Sequence, residues 1–387
     1  MTPSEEFVAK LCQKSFLPFW SFASPLGKKG KELCDMLVVC GNDIIMISVK
    51  DIKVTDHADP EVQSQRWQRD AIEGSVKQIY GAERFLEQVT EILVKDREFE
   101  IALPDKDSRQ IHRIAIAFGG GNQFPLETGD FGKGFVHVFD EESTFTVISE
   151  LDTITDFVRY LKAKEHFLRD RLIIVPKEVD FLALYIQTGL IFDGNPDSVL
   201  VDEGIWDSYA ASGEYRRWTE NIKKSYLWDE IVVQLFENLK NGKHAGAKHS
   251  DMERATRIIC CEPRINRMEL ALVLKDAMEK GLRGRMLRPL GDSEHCYVFM
   301  PLSQKNWDSK ESELQLRCLI ARKENPTSKK VIGLGIGTGT DGVPLFDLAF
   351  FDLPALSGEL LERIEQAKNE LGYFSNPVAA RSSQMRS

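Results

Sequence analysis

The sequence predicts a mixed α/β (α+β) protein: an N-terminal core of a mixed sheet flanked by helices, followed by a second α+β domain. The first observation is a pair of apolar runs, at residues 36–40 and 44–47, which flank a Gly-Asn-Asp triplet and predict a β-hairpin buried on both faces. The second is a helical apolar period across residues 61–95. The third is length, since 387 residues are sufficient for two domains.

Capping residues and apolar spacing predict the elements around this hairpin. Ser4 is a good N-cap, and the acids Glu5 and Glu6 in the first turn predict a short helix that runs to Cys12. A polar loop and the long helix at 61–95 follow the hairpin. The remaining elements predicted in this part are strands at 111–118, 135–139, 145–148 and 172–175 and an amphipathic helix at 153–167.

In the C-terminal half, the sequence pattern defines the boundaries of helices and strands less clearly. Its apolar patterns favour helices at 228–239, 252–261, 266–280 and 357–371 and strands at 296–300, 314–323, 330–336 and 345–351. The segment 325–328, which contains Pro326, is expected to turn the strand at 314–323 into the strand at 330–336 as a hairpin. We therefore predict a core domain at 1–175, a helical connecting region at 176–250, a C-terminal α+β domain at 251–375 and a disordered tail at 376–387.

Composition and charge restrict the function classes. A net charge of −10 and a pI near 5.4 argue against broad electrostatic coating of a polyanion, although they are compatible with a local basic groove. Seven cysteines without a repeated spacing predict free thiols in a reducing compartment and no structural zinc site. The N-terminal segment has no apolar stretch of signal-peptide length, so we expect a cytoplasmic protein without a membrane partner.

The open end of the hairpin carries polar side chains whose types suggest a site. A hairpin brings its far ends together, so we expect Asp35 and Lys50 to lie side by side. Ser48 and Lys50 alternate onto one face of the second strand because strand side chains have a period of two. Carboxylates that hold Mg²⁺ and a cation that stabilises charge on phosphate oxygens are what metal-dependent phosphodiester cleavage needs.

These residues and the order of elements around them resemble the core of the PD-(D/E)xK, or restriction-endonuclease-like, nuclease superfamily. Asp35 matches the Asp that follows the first helix in that superfamily, and Lys50 matches the Lys of its (D/E)-x-Lys motif. Gln78 on the following helix is similar to a Gln that some relatives place there. The chain also resembles uncharacterised bacterial proteins that carry Lys-Glu-Leu-Cys-Asp at this hairpin. The resemblance covers about residues 4–120 and implies a restriction-endonuclease-like N-terminal core.

One position departs from the pattern of that superfamily. The residue two before Lys50 should be an acid and is Ser48, which cannot supply a second anionic metal ligand. Glu32, Asp51 and Glu73 are the candidates to replace it, and Glu32 is the best placed of the three. The resemblance thus implies catalytic roles for Asp35, Ser48, Lys50 and Gln78, and metal binding by Glu32 and Asp35.

Structural interpretations stand beside the functional one. Asp35 and Lys50 could form a partly exposed ion pair that contributes about 0–1 kcal/mol to stability. Gln78 could be an ordinary helix residue. The glycine-rich segment 333–339 does not predict a phosphate loop, because no helical pattern follows its glycines.

The resemblance implies a metal-dependent nuclease that hydrolyses phosphodiester bonds of DNA or RNA, in defence or repair, with Mg²⁺ or Mn²⁺ as cofactor. The alternative is a nuclease-like fold without catalysis that serves as a nucleic-acid-binding or protein-interaction module, which Ser48 and the net acidity favour. A homo-oligomer and a partner protein are both left open by the sequence.

Overall fold

A computed structural model describes residues 1–54, 59–94, 100–120, 126–169, 172–174, 177–192, 198–242, 249–288, 293–303, 306–338 and 344–374. The chain is a mixed α/β protein. Its helices in these ranges are α1 (Pro3–Phe16), α2 (Pro60–Trp67), α3 (Gly74–Leu86), α4 (Glu141–Glu150), α5 (Ile154–Leu168), α6 (Glu178–Gln187), α7 (Ile205–Ala210), α8 (Gly213–Ile222), α9 (Tyr226–Lys240), α10 (His249–Cys260), α11 (Arg264–Glu279), α12 (Lys310–Glu324) and α13 (Gly358–Leu371).

The strands build four sheets within the described ranges. They are β1 (Ser21–Ala23), β2 (Pro25–Leu26), β3 (Met36–Cys40), β4 (Asp43–Asp51), β5 (Glu91–Val94), β6 (Glu100–Ala102), β7 (Gln110–Phe118), β8 (Gly129–Asp130), β9 (Phe135–Phe139), β10 (Leu172–Ile174), β11 (Ser198–Leu200), β12 (Arg285–Leu287), β13 (His295–Pro301), β14 (Lys330–Thr338) and β15 (Pro344–Asp352). No helix in the described part of the chain is long and apolar enough to cross a membrane.

The chain divides into two compact units, which we describe separately. The first comprises residues 1–240 and 256–267, and the second comprises residues 241–255 and 268–387. The segment 176–250, expected as a helical connecting region, holds α6 to α9 in the first unit. The predicted disordered tail at 376–387 lies outside the described residues.

A six-stranded mixed sheet organises the first unit, in the order β1-β3-β4-β7-β9-β8. The predicted hairpin is confirmed: β3 and β4 pair antiparallel with Met36 opposite Ile47 and Cys40 opposite Asp43. Both strands are almost entirely buried, in agreement with their continuous apolar sequence. β4 then pairs in parallel with β7, as the crossover through α2 and α3 permits, and β7 pairs in parallel with β9.

The helix after the hairpin is shorter than the sequence predicts. The expected helix at 61–95 is wrong beyond Leu86, because residues 91–94 form β5 and pair with β2 and β6. The guanidinium of Arg109 donates hydrogen bonds to the carbonyl oxygens of Leu86 (2.6 Å) and Val89 (3.0 Å), which satisfies acceptors that the ended helix leaves open. A π-helical segment at Gln68–Glu73 joins α2 to α3.

The strand predicted at 145–148 is wrong, because these residues belong to α4. Asp140 caps the N-terminus of α4 by accepting from the backbone of Ser143 at 2.7 Å, and the Ser143 hydroxyl accepts in return from the backbone of Asp140. Thr144, Val147 and Ile148 then share the buried face, while the aromatic side chain of Phe145 is exposed. The β-branched residues that favoured a strand here pack as a helical stripe instead.

The second unit contains the sheet β12-β13-β14-β15. The strand predicted at 314–323 and its hairpin at 325–328 are wrong, because residues 310–324 form α12. The buried Leu314, Cys318 and Ala321 of α12 belong to one apolar cluster with residues of β13 and β14. At Gly333 of β14 an added Cβ would meet Leu314 at 3.0 Å and would clash with the sulfur of Cys318, so this glycine permits the close approach of α12.

Candidate active site

The carboxylate of Asp35 is fixed at the open end of the hairpin. Its Oδ2 accepts a hydrogen bond of 2.6 Å from the backbone amide of Val49 on the neighbouring strand, and the residue is only 7% exposed. Burial raises the pKa of Asp35, while the Val49 amide, the Lys50 ammonium and the Ser48 hydroxyl oppose that rise. The Asp35 carboxylate is therefore buried at the end of the hairpin, where the charge of Lys50 opposes the rise of its pKa.

One helix side chain joins the two polar residues of β4. Oε1 of Gln78 on α3 accepts hydrogen bonds from Oγ of Ser48 and from Nζ of Lys50, each at 3.0 Å. Ser48 is fully buried and Lys50 is partly exposed. The sequence-predicted residues Asp35, Ser48, Lys50 and Gln78 thus converge at one place, where Gln78 holds the ammonium group of Lys50 in position.

Glu32 approaches the same place from the segment before β3. It forms an isolated β-bridge with Leu26, which ties this segment to β2. Burial, the charge of Asp35 and a hydrogen bond with the Asp35 side chain raise the pKa of Glu32, against a hydrogen bond from Ser24. The two carboxyl groups therefore form a close pair whose negative charge is incompletely compensated.

Glu5 is a residue that sequence reasoning did not assign to the site. It lies in the first turn of α1, where its side chain accepts a hydrogen bond of 2.8 Å from the backbone amide of Thr2 in a capping box. Its negative charge nevertheless contributes to the raised pKa of both Glu32 and Asp35. The sequence favours Ser4 as the N-cap of this helix, whereas Thr2 is the N-cap in the structure, and the proximity of α1 to the hairpin depends on tertiary packing.

The other candidate acids make different contacts. The Asp51 side chain accepts a hydrogen bond from the hydroxyl of Ser4 on α1, at 2.5 Å. The Glu73 side chain forms an exposed ion pair with Lys77, at 3.2 Å. Among the three candidate acids, Glu32 is the one whose pKa is raised by the charge of Asp35 and by a hydrogen bond with its side chain.

The chemistry of the donor set fits a divalent cation held by two carboxylates. The described residues contain no group of three or more His, Cys, Asp or Glu side chains arranged to hold a metal ion. Mg²⁺ is commonly bound by only one or two carboxylates, with water and substrate phosphate as the other ligands. A bound cation would favour the ionised forms of Glu32 and Asp35, whose pKa values burial raises.

Comparisons of this chain with protein-family models, with curated proteins and with solved structures find no match. The functional assignment below is therefore argued from the geometry of the site and from the resemblance of its residues.

Proposed function

We propose that this protein is a metal-dependent nuclease that hydrolyses phosphodiester bonds of DNA or RNA. The observation that carries the proposal is that Gln78 binds both Ser48 and the ammonium group of Lys50 at the end of the hairpin where the buried Asp35 carboxylate accepts from the Val49 amide. Anionic ligands and a positioned cation within one small site are the parts that phosphodiester cleavage requires.

Each residue has a defined role in this proposal. Glu32 and Asp35 would hold Mg²⁺ or Mn²⁺, which as a Lewis acid polarises the phosphate and lowers the pKa of water. Lys50 stabilises the charge that grows on the phosphate oxygens, or orients the attacking water. Gln78 positions the Lys50 ammonium through its 3.0 Å hydrogen bond and also satisfies the hydroxyl of Ser48.

The element order of the first unit supports the resemblance on which the proposal also depends. α1 precedes the antiparallel strands β1, β3 and β4, and the long helix with Gln78 leads to the parallel strand β7. The superfamily is expected to place its acid after a first helix, its lysine on a hairpin and further polar groups on the next helix. Asp35, Lys50 and Gln78 occupy these places in this chain.

A second candidate function follows from Ser48. Its hydroxyl is bonded to Gln78 where a catalytic member of the superfamily is expected to carry an acid, and no three-ligand metal group occurs in the described ranges. Both observations favour a nuclease-like fold that binds nucleic acid or a partner protein without cleaving. In either case we propose a cytoplasmic location, where the seven free cysteines would stay reduced.

The test is cleavage of labelled single- and double-stranded DNA and RNA by the purified full chain, with Mg²⁺, with Mn²⁺ and with EDTA. We expect metal-dependent cleavage that Asp35→Asn abolishes and that Lys50→Met lowers by about 100-fold or more, as for the loss of one group that stabilises transition-state charge. Lys77→Met is the matched control, because Lys77 lies on the same helix as Gln78 in an exposed ion pair.

The outcomes separate the two functions. Binding of nucleic acid without cleavage of any substrate would support the non-catalytic fold. Metal-dependent cleavage that persists in both Asp35→Asn and Lys50→Met would reject the assigned site altogether.

A further inference from the structure

Three thiols meet at the end of the hairpin opposite to the candidate active site. Cys40 is the last residue of β3, and its Sγ lies 3.7 Å from Sγ of Cys261, which directly follows α10. The neighbouring Cys260 also forms a hydrogen bond with Cys40. All three residues belong to the first unit, although 221 positions separate Cys40 from Cys261.

The two closest thiols differ in exposure. Cys40 is buried, at 3% exposure, whereas Cys261 is exposed at the surface. A reagent in solution can therefore reach Cys261 first and then leave its modified sulfur within reach of Cys40. The backbone of Cys261 is held in place next to Cys40, because its carbonyl oxygen accepts a hydrogen bond of 2.6 Å from the hydroxyl of Thr155 on α5.

The electrostatic environment of the pair is also asymmetric. The hydrogen bond with Cys40 and the positive charges of Arg257 and Arg267 lower the pKa of Cys261, against burial and the charge of Asp43. The hydrogen bonds with Cys260 and Cys261, together with burial, raise the pKa of Cys40 well above its usual value. A thiol with a lowered pKa on a surface residue is the one that attacks an oxidant, because the thiolate is the nucleophile.

We propose that Cys40 and Cys261 form a peroxide-reactive dithiol, in which Cys261 is the attacking thiol and Cys40 the resolving thiol. The oxidant is a hydroperoxide, which can approach the exposed side of Cys261. The product is an intramolecular disulfide that joins the turn end of the hairpin to the segment between α10 and α11.

The chemistry balances in two steps. The Cys261 thiolate attacks the terminal oxygen of the hydroperoxide, the O–O bond breaks, and the alkoxide takes up the proton that Cys261 lost, so that a sulfenic acid and an alcohol result. The Cys40 sulfur then attacks the sulfur of Cys261, the S–O bond breaks, and hydroxide leaves with the Cys40 proton as water. Two thiols are oxidised to one disulfide while the peroxide is reduced to alcohol and water.

The step from contact to bond is short. A disulfide has an S–S length of about 2.05 Å, so the two sulfur atoms must approach from 3.7 Å by less than the diameter of an atom. Cys40 and Asp43 flank the two-residue turn of the hairpin.

The experiment treats the reduced full chain with hydrogen peroxide, blocks remaining thiols, and measures intact mass and tryptic peptides. We expect the loss of two thiols per chain and a peptide 32–50 linked to a peptide 258–264. Cys261→Ser should abolish the loss, and Cys40→Ser should stop the reaction at a sulfenic acid that dimedone traps on Cys261.

Control variants show whether the other thiols of the same two peptides take part in the cross-link. Cys34→Ser and Cys260→Ser are each expected to leave the cross-link intact, as is Cys12→Ala, which removes a distant buried thiol. A cross-link that survives Cys40→Ser, one that Cys260→Ser removes, or the retention of all thiols after peroxide treatment would overturn the proposal. Circular dichroism of each variant verifies that it is folded.

Discussion

The backbone amide of Val49 donates a hydrogen bond of 2.6 Å to the carboxylate of Asp35. This contact fixes a buried acid of one segment to the backbone of the neighbouring strand, so its position does not depend on the flexible Lys50 side chain. One amide does not compensate a carboxylate fully, and burial still raises the pKa of Asp35. The result is a buried acid whose position is fixed by the backbone of the neighbouring strand.

The first prediction concerns the pH dependence of stability. Because the pKa of Asp35 in the folded protein lies above its ordinary value of 3.8, the folded state retains this proton to higher pH than the unfolded chain does. The stability that protonation contributes is therefore complete below the ordinary pKa and is lost as pH rises through the raised pKa. Asp35→Asn removes this pH-dependent loss of stability, and the asparagine side chain can still accept the hydrogen bond from the Val49 amide.

We therefore expect the melting temperature of Asp35→Asn to exceed that of the wild type increasingly as pH rises from about 4 to about 8 in EDTA. Saturating Mg²⁺ should reduce the difference, since it stabilises only the wild-type carboxylate. Differential scanning calorimetry across this pH range measures both effects. A difference that does not change with pH would contradict the raised pKa.

The second prediction places the missing acid of the motif back at position 48. Ser48 is fully buried, so Ser48→Asp is expected to lower the melting temperature in EDTA because it adds a charge beside Asp35. A cation at about 100 times its dissociation constant would restore about 2.7 kcal/mol of stability. Nuclease activity should rise at the same time.

Ser48→Asn is the matched control for this variant, because the amide has nearly the shape of the carboxylate without its charge. Calorimetry with and without Mg²⁺ and the cleavage assay are the measurements. If Ser48→Asp and Ser48→Asn respond equally to Mg²⁺, the cation does not bind at this position.

The third prediction concerns a buried ion cluster that holds the first unit together. Arg264 forms ion pairs with Asp152 (2.7 Å) and Asp229 (2.5 Å), and its guanidinium lies 4.7 Å from the ring centre of Tyr226. Arg264→Met is expected to lower the free energy of unfolding by about 3–5 kcal/mol, because two carboxylates remain buried without this partner. Urea denaturation measures the change.

Arg169→Met provides the comparison, since Arg169 forms an exposed ion pair with Glu165 within one helix turn. We expect that variant to lower the free energy of unfolding by less than about 0.5 kcal/mol. Similar losses in the two variants would mean that the Arg264 cluster does not support the fold as its burial implies.

The fourth prediction concerns the glycine at the end of β7. Gly119 has a φ of +85°, and an added Cβ would lie 2.5 Å from the carbonyl oxygen of Ile52. Gly41 in the hairpin turn also has a positive φ, of +60°, but no atom lies within 4 Å of its added Cβ. Gly41→Ala should therefore cost only the left-handed backbone strain, about 1–2 kcal/mol.

Gly119→Ala should cost more than Gly41→Ala, because it adds a backbone clash at a place where Ile52 also donates to Phe118 at 3.1 Å. Chemical denaturation of the two variants isolates the clash as the difference between their losses. Equal losses would show that β4 can move away from Gly119 without resistance.

The hairpin could be predicted because it depends on local information. Two apolar runs around a Gly-Asn turn permit few other structures, and the register, with Met36 opposite Ile47, brings Asp35 to the end of β4 that carries Ser48 and Lys50. Residues 314–323 could not be assigned in this way. Leu314, Leu316 and Cys318 alternate as in a strand, while Leu314, Cys318 and Ala321 also fit a helical face, and packing against β14 selects the helix.

The sequence by itself determined the hairpin, the alternation of Ser48 and Lys50, and the residue types of the proposed site. Only the tertiary structure decided that Gln78 binds both side chains, that the Glu5 charge reaches Glu32 and Asp35, and that Cys40 meets Cys261. The physical reason is the sequence distance over which each kind of interaction acts. Strand period and turn chemistry act over a few residues, whereas contacts between positions 28 to 221 residues apart form only when helices pack on the sheet.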